Sequence, residues 1–276
     1  MLKEGLIIKI NSDTFTVKIN HDYINCKARG KNRFEKIKPL VGDRVIIDIE
    51  KKVIESVLER RNYLSRPPVA NIDIALIVTS LVKPNLSLTL LDKLISIVTI
   101  NNIEPVIVFT KIDLANKDEI KELKKIIKYY ESIGIRVFTN KKVRKLKKYM
   151  KNKIVTVCGQ TGAGKSTLIN KLDKNLNLET REISEALGRG VHTTRIVELF
   201  EIDNYYIVDT PGFSSIDINN YSKEEIESSF VEFRGLECKF KNCSHEKELG
   251  CKVIHEKNKG NILLTRYTNY IKFIKE

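Results

Sequence analysis

The residues Gly159-Gln160-Thr161-Gly162-Ala163-Gly164-Lys165-Ser166, followed by Thr167, have the types and spacing needed to hold a chain of phosphates. Glycines at these positions let successive backbone N–H groups turn toward one anion. Lys165 can reach the outer phosphates, and the Ser166 hydroxyl suits a Mg²⁺ ion. Upstream, Thr110-Lys111-Ile112-Asp113 closes an apolar run. A carboxylate there can accept two hydrogen bonds from the ring N1–H and exocyclic amine of guanine, a donor pair that adenine lacks. Asn170-Lys171-Leu172-Asp173 repeats the pattern. It lies inside the helix expected after the phosphate loop, too near the phosphates to reach a base. Downstream, Asp209-Thr210-Pro211-Gly212 can hold Mg²⁺ through a water at Asp209 and meet a γ-phosphate at the Gly212 N–H. Between them, His192-Thr193-Thr194 offers hydroxyls to complete the Mg²⁺ shell. Finally, Cys238, Cys243, His245 and Cys251 put three thiols and an imidazole within a short, loop-rich stretch. That set suits a closed tetrahedral Zn²⁺ site, one per chain, with no position left for a substrate water.

These groups need a scaffold of strands ending in loops. Apolar runs at 74–79, 106–109, 135–138, 154–158, 196–202 and 205–208 read as strands, and 87–101, 117–133 and 167–172 as helices. Their alternation predicts a mostly parallel sheet covered on both faces, an α/β fold. The stretch around residues 141–151 reads as a basic connector. Residues 1–64 read as short β segments at 5–10, 14–19 and 45–49 with turns between, which predicts a small barrel, best matched by the five-stranded OB-fold. Lys27, Arg29, Lys31, Arg33, Lys36 and Lys38 crowd its middle around Phe34, either as a solvated loop or as an RNA-backbone contact with one stacking ring. Arg66-Pro67-Pro68 reads as a stiff linker, and residues 260–270 as an amphipathic helix packed on its own domain or on a partner. The expected domains are 1–64, 65–213 and 214–276, the last an α-rich zinc module.

The 276 residues carry a formal net charge of +14, which favours a polyanion or an anionic membrane surface as partner. No apolar run approaches the roughly 20 residues that span a bilayer, and no signal-peptide stretch opens the chain. Five cysteines without a secretion signal point to thiols or metal rather than disulfides. A cytoplasmic protein is expected, with Cys158 in a buried strand and Cys26 without an assigned role.

The order of the elements is base reader, phosphate loop, Mg²⁺ threonines, then Asp-x-x-Gly. Ordinary GTPases place the base reader last, so a circular permutation is expected. The chain resembles the circularly permuted GTPases, and more closely the ribosome small-subunit-dependent GTPase A family. The resemblance rests on residues 66–73, 110–113, 159–166, 188–194 and 209–213 and on the Cys/His cluster. It implies a P-loop GTPase domain between an OB-fold barrel and a zinc module, with GTP/GDP, Mg²⁺ and Zn²⁺ bound. It implies a monomer acting with the small ribosomal subunit and its rRNA, whose mature form stimulates hydrolysis. It also points to His192 as a switch histidine, which suits Phe213, since an apolar ring standing where a water-orienting Gln is usual cannot position water. Lys165 with Thr193 or Thr194 completes the catalytic set, with Ser166 and Thr194 as Mg²⁺ ligands. Where the family has a Ser-Ala pair whose backbone touches guanine O6, this chain has Thr139-Asn140-Lys141. The zinc module follows Gly212 after about 25 residues, so loss of γ-phosphate contacts is expected to pull on it directly. Two other readings are an assembly factor that holds GTP structurally with negligible turnover, and an ATP-dependent enzyme, against which Asp113 argues.

Overall fold

Alternation drives the N-terminal barrel. In the computed structural model, which describes residues 1–28, 38–65, 68–173, 197–208 and 217–276, strand β2 (Thr14–Ile19) turns Phe15, Val17 and Ile19 inward and its intervening residues out. They meet Ile7 of β1 (Leu2–Asn11), Cys26 of β3 (Asp22–Ala28), Val45 and Ile47 of β4 (Arg44–Asp48) and Ile54 of β5 (Val53–Val57). The strands close in the order β1-β2-β3-β5-β4. Cys26 is thus a core residue, and burial pushes its thiol pKa up. The basic cluster from Arg29 to Lys36, with Phe34, lies outside the described residues.

The strands on either side of the expected linker pair with each other, while residues 66–67 lie outside the described residues. β6 (Tyr63–Ser65) pairs antiparallel with β7 (Pro68–Ala70), so Pro68 opens a strand. Behind it, buried amides lock the barrel to the next layer. Asn71 Nδ2 donates to Gly42 O (3.0 Å), Asn62 Nδ2 to Ile72 O (2.8 Å), and Asp73 Oδ2 accepts from the Ile154 N–H (2.8 Å). The Asn71-Ile72-Asp73 segment that carried part of the resemblance is therefore a structural joint.

The central sheet runs β10-β9-β8-β11-β13-β12. β8 (Ile74–Ser80), β9 (Glu104–Thr110), β10 (Arg136–Thr139), β11 (Ile154–Gly159) and β13 (Tyr205–Val208) are parallel, and only β12 (Leu199–Ile202) is antiparallel to its neighbour. Burial on both faces explains why these strands read as continuous apolar runs. On one face Ile74, Leu76 and Val78 meet α3 (Val143–Met150) and α4 (Lys165–Leu172) through Leu146, Met150, Leu168 and Leu172. On the other, Ala75 and Ile77 share a core with α1 (Leu88–Ile100) and α2 (Lys117–Ser132). The stretch read as a basic connector is thus helical: Val143, Leu146 and Met150 form an apolar stripe that the surrounding lysines conceal.

After residue 217 come α5 (Lys223–Ser229), α6 (Lys252–Asn258) and α7 (Leu264–Phe273). Helix α7 packs on this chain's own α1. Its Arg266 is fully buried, with Nε and Nη2 on Glu232 (2.8 and 3.0 Å) and Nη1 on Asp92 (3.0 Å). Burial opposes its charge, but Asp92 and Glu232 hold its pKa well above the ordinary arginine value. No helix among the described residues is long and apolar enough to cross a membrane.

Candidate nucleotide site and metal centre

β11 is central, so its C-terminal loop emerges between two strands rather than at an edge. The crowding there explains the first glycine. Gly159 has φ +134°, and a Cβ built on it would fall 2.0 Å from Val78 O on β8. Gly164, at φ +90°, is the left-handed cap from which Lys165 starts α4. The loop's N–H groups and the N-terminus of α4 together form a place for anions. Lys165 Nζ folds over the loop, donating to Gly159 O (2.9 Å) and Gln160 O (3.0 Å), while Ser166 and Thr167 occupy the first turn of α4. Thr161 and Gly162 are exposed and Ala163 is buried. Under the loop, burial pushes the Cys158 thiol pKa to about 12, with Lys165's charge pulling the other way. That thiol is no nucleophile at neutral pH.

The loop at 110–113, expected to read a base, is fastened to the glycine-rich loop at 159–166. Thr110 Oγ1 donates to Ala163 O (2.5 Å) and lies 3.3 Å from Thr79 O. Lys111 is left-handed (φ 54°) and sends its ammonium to Gly162 O (2.8 Å) and to Lys83 O. Segments some 50 residues apart in sequence are thus held as one rim. Beside them opens a cleft of 180 Å³, lined by Thr110, Lys111 and Asp113 on one side and by Gly164, Thr167 and Lys171 on the other. Asp113 sits exposed on a short 3₁₀ turn, Ile112–Leu114.

Two lining residues differ from expectation. Lys171, dismissed with its repeat of the base-reading pattern, is part of the cleft wall. The repeat's carboxylate, Asp173, is not among the lining residues, and its charge instead helps raise the pKa of Tyr205. Asn140 also lines the cleft, but its N–H is engaged by Phe109 O at 2.9 Å. Its Oδ1 is buried without a hydrogen-bond partner among the described residues. At that position the backbone N–H is already engaged, and the side-chain oxygen is the polar atom left without a partner among the described residues. His192, Thr193, Thr194, Asp209 and Gly212 lie outside the described residues.

The cysteine cluster converges. Single ligand atoms of Cys238, Cys243, His245 and Cys251 all lie within 4.8 Å of one another. Cys238 Sγ is 3.9 Å from Cys251 Sγ and 3.6 Å from His245 Nδ1, which is 3.3 Å from Cys251 Sγ. A Zn²⁺ tetrahedron with Zn–S near 2.3 Å and Zn–N near 2.0–2.1 Å has edges of about 3.8 and 3.5 Å, so the donors fit zinc. Burial and the neighbouring thiols push the Cys243 thiol pKa to about 12. His245 Nε2 lies 3.2 Å from Glu227 of α5 but out of line for a hydrogen bond. Glu248 braces the ligand loop, accepting from Ser244 Oγ at 2.6 Å and from three backbone N–H groups. Those bonds, the Ser244 hydroxyl foremost, hold its pKa down at about 2.

Comparison with known proteins agrees along the whole chain. Residues 4–54 match the RsgA N-terminal domain and residues 57–219 the RsgA GTPase model. A small ribosomal subunit biogenesis GTPase RsgA 2 from Oceanobacillus iheyensis is 42% identical, across 100% of this chain and 97% of that relative. A small ribosomal subunit biogenesis GTPase RsgA from Staphylococcus aureus is 41% identical, across 100% and 97%. Among solved structures, YjeQ from Thermotoga maritima superposes with a TM-score of 0.87 at 33% identity, covering 100% of this chain and 98% of that one. YloQ, a circularly permuted GTPase, gives 0.84 at 31%, covering 100% and 94%. The closed barrel, the sheet whose base-reading strands precede the phosphate-loop strand in the chain, and the Cys₃His cluster agree with these matches, and the chain belongs to the RsgA GTPase family.

Proposed function

We propose that this protein is a Mg²⁺-dependent GTPase that hydrolyses GTP to GDP and phosphate during biogenesis of the small ribosomal subunit, and that the subunit stimulates it. The observation that carries the nucleotide assignment is the joint between Thr110–Lys111 and the Gly162–Ala163 carbonyls, which sets a carboxylate at one end of a cleft and an anion-binding loop at the other. Asp113 accepts from the guanine edge, and the Asn140 amide faces the same cleft. The loop from Gly159 to Gly164 presents N–H groups to the phosphates. Lys165 exchanges its two carbonyl partners for phosphate oxygens. Ser166 with Thr193 or Thr194, and Asp209 through water, would hold Mg²⁺, which would supply positive charge to the phosphates. The Gly212 N–H contacts the γ-phosphate. His192 positions the attacking water, because Phe213 cannot.

The zinc is structural. Three thiolates and His245 close its shell, and it holds together a loop-rich segment of about 14 residues that could not fold on a core of its own. The protein acts as a cytoplasmic monomer on rRNA of the small subunit, with domains at 1–64, 65–213 and 214–276. A second reading is an assembly factor that holds GTP with negligible turnover, and Phe213 in place of Gln favours it. GTP turnover with and without purified small subunits separates the two. Asp113→Asn tests the site itself, since an amide suits the C2 carbonyl of xanthine. The variant should shift preference toward xanthine nucleotides, while Asp173→Asn should not. Unchanged guanine selectivity in Asp113→Asn would refute the assignment.

A further inference from the structure

Helix α3 and its flanking residues concentrate cations with no carboxylate between them. Between residues 141 and 151 stand Lys141, Lys142, Arg144, Lys145, Lys147, Lys148 and Lys151, with no carboxylate among them. Helix α2 starts with a capping box and two acidic residues in its first turn, and α5 does the same. Helix α3 has no side-chain cap and no acid in its first turn. It places Arg144 and Lys145 there instead, against the partial positive charge of the helix N-terminus. Arg144 with Lys148 at i,i+4, and Lys145 with Lys148 at i,i+3, are also like-charge pairs, which oppose helix formation. A helix kept despite its own electrostatics is where function is to be sought.

The packing leaves that face nothing to do inside the molecule. Leu146 and Met150 are fully buried against the sheet, while Lys142, Arg144, Lys145, Lys148 and Lys151 are exposed. Among the described residues only Lys147 has a carboxylate partner, Asp203 at 2.9 Å. Next to the helix lies a surface cleft of 450 Å³ along the edge strand β10, bordered by Arg136, Lys142 and Lys145 and by one carboxylate, Glu131. Cations four residues apart on the helix rise by about 6 Å, so the face offers a row of donors rather than a single pocket. Apolar side chains of α3 are turned inward, which leaves none to enter a bilayer, as an interfacial helix requires. Nor does the face have the apolar centre of a typical protein-binding patch.

We propose that the outer face of α3, with the adjoining β10 cleft, docks the phosphate backbone of structured RNA, as a surface separate from the basic stretch of the barrel. Phosphates there would supply the countercharge that the helix lacks and release their own counterions. The proposal rests on the reading of the small subunit as partner, and it names where on this domain rRNA lies.

The test uses the full chain and purified small subunits over a series of salt concentrations. Three proteins are compared: wild type; a variant with Arg144, Lys145, Lys148 and Lys151 each changed to Gln; and a control with Lys121, Lys124, Lys125 and Lys128 of α2 changed likewise, which removes equal charge. GDP affinity should be equal in all three, which shows that the nucleotide fold is intact. The α3 variant should bind subunits about 10- to 100-fold more weakly near physiological salt. Its slope of log affinity against log salt should be shallower by about 2–3, as expected when three or four phosphate contacts are lost. The α2 control should follow wild type. Parallel slopes for wild type and the α3 variant would overturn the proposal, as would equal flattening in the α2 control, which would mean net charge alone. Phosphatidylserine vesicles that bind wild type through these four residues, with the subunit slope unmoved, would assign the face to membranes instead. If wild type fails to bind subunits, the proposed function falls and this surface with it; binding with an unmoved α3 slope removes the surface alone.

Discussion

Replacing Arg266 by Met removes the one cation from a buried set of acids. The guanidinium is fully buried, spans Asp92 and Glu232 at 2.8–3.0 Å, and lies 4.2 Å from the centre of the Phe230 ring. Without it, Asp92 keeps Tyr130 Oη and Asn269 Nδ2, both at 2.6 Å, and Glu232 keeps Tyr129 Oη at 3.1 Å. These are neutral donors, so two carboxylates stay buried with no countercharge. Breaking such a pair from one side costs about 3–5 kcal/mol. With a urea m-value of about 1–3 kcal/mol/M, the unfolding transition of the C-terminal helices should move down by roughly 1–5 M. The chain has no Trp, so circular dichroism and limited proteolysis are the probes. The pH dependence has a definite sign. Arg266's raised pKa means that its contribution is complete below the ordinary arginine value, so the wild type should be flat in this respect from pH 5 to 9. In the variant the two carboxylates are buried without a countercharge, and protonation would remove that charge, so its deficit should shrink on acidification. Where Arg266→Met fails to fold, adding Asp92→Leu and Glu232→Leu should rescue it, because an apolar replacement of a buried ionic set is often neutral. A midpoint shift below about 0.3 M, or a deficit that grows on acidification, would refute the reasoning.

Thr110→Val keeps shape but leaves Ala163 O without its hydroxyl donor; GDP affinity by fluorescence titration should fall about tenfold, the equivalent of 1.4 kcal/mol. Metal analysis of the reduced wild type should give one zinc per chain, and Cys243→Ser should abolish it and make residues 238–251 protease-sensitive, with GDP affinity retained. His192→Ala should remove most of the subunit-stimulated turnover while leaving GTP affinity unchanged, since it would act on the water rather than on bound nucleotide.

What was legible in the sequence was what depends on neighbours along the chain. Strand Thr14–Ile19 shows its alternation directly, and helix α1 lies between its expected end residues, Ser87 and Asn101, which cap it. Cys238, Cys243, His245 and Cys251 are close in sequence and so easy to associate, and the fold brings them together. What depends on distant partners was not legible. Arg266 reads as the polar face of an amphipathic helix, and Asp92, 174 residues away, together with Glu232, makes it a core residue. β3 turns only Cys26 fully inward, so no period marks it as a strand. Lys171 looked irrelevant because its distance from the phosphates was judged along the chain. The fold brings the first turns of α4 and the base-reading loop around one cleft. Asn140 was recognised as a departure, but the engagement of its N–H by Phe109, which shifts attention to its side chain, depends on the pairing of β10 with β9.

Chain order alone suggests that a displacement at Gly212 would pull on the zinc module, which follows it. The packing redirects that pull. The first described residues after 216 are fixed to the central domain: Asp217 lies 3.5 Å from Lys93 Nζ, and Tyr221 Oη accepts from Asn101 Nδ2 at 2.8 Å, both partners belonging to α1 or its cap. Helix α7 is held on the same α1 through Asp92. A pull arriving at 217 therefore loads α1 before it loads the zinc ligands. The other side of that segment is different. β12 and β13 form a hairpin between residues 197 and 208, and its outer strand carries the barrel, with Glu201 held by Lys18 and by Tyr23 Oη at 2.9 Å. Just before that strand, Lys9 Nζ sits 2.7 Å from Glu198. Segments 174–196 and 209–216, where His192, Thr194 and Gly212 stand, flank this hairpin in the chain. A change at either end of the hairpin is therefore expected to load the barrel through these contacts, alongside the load on α1.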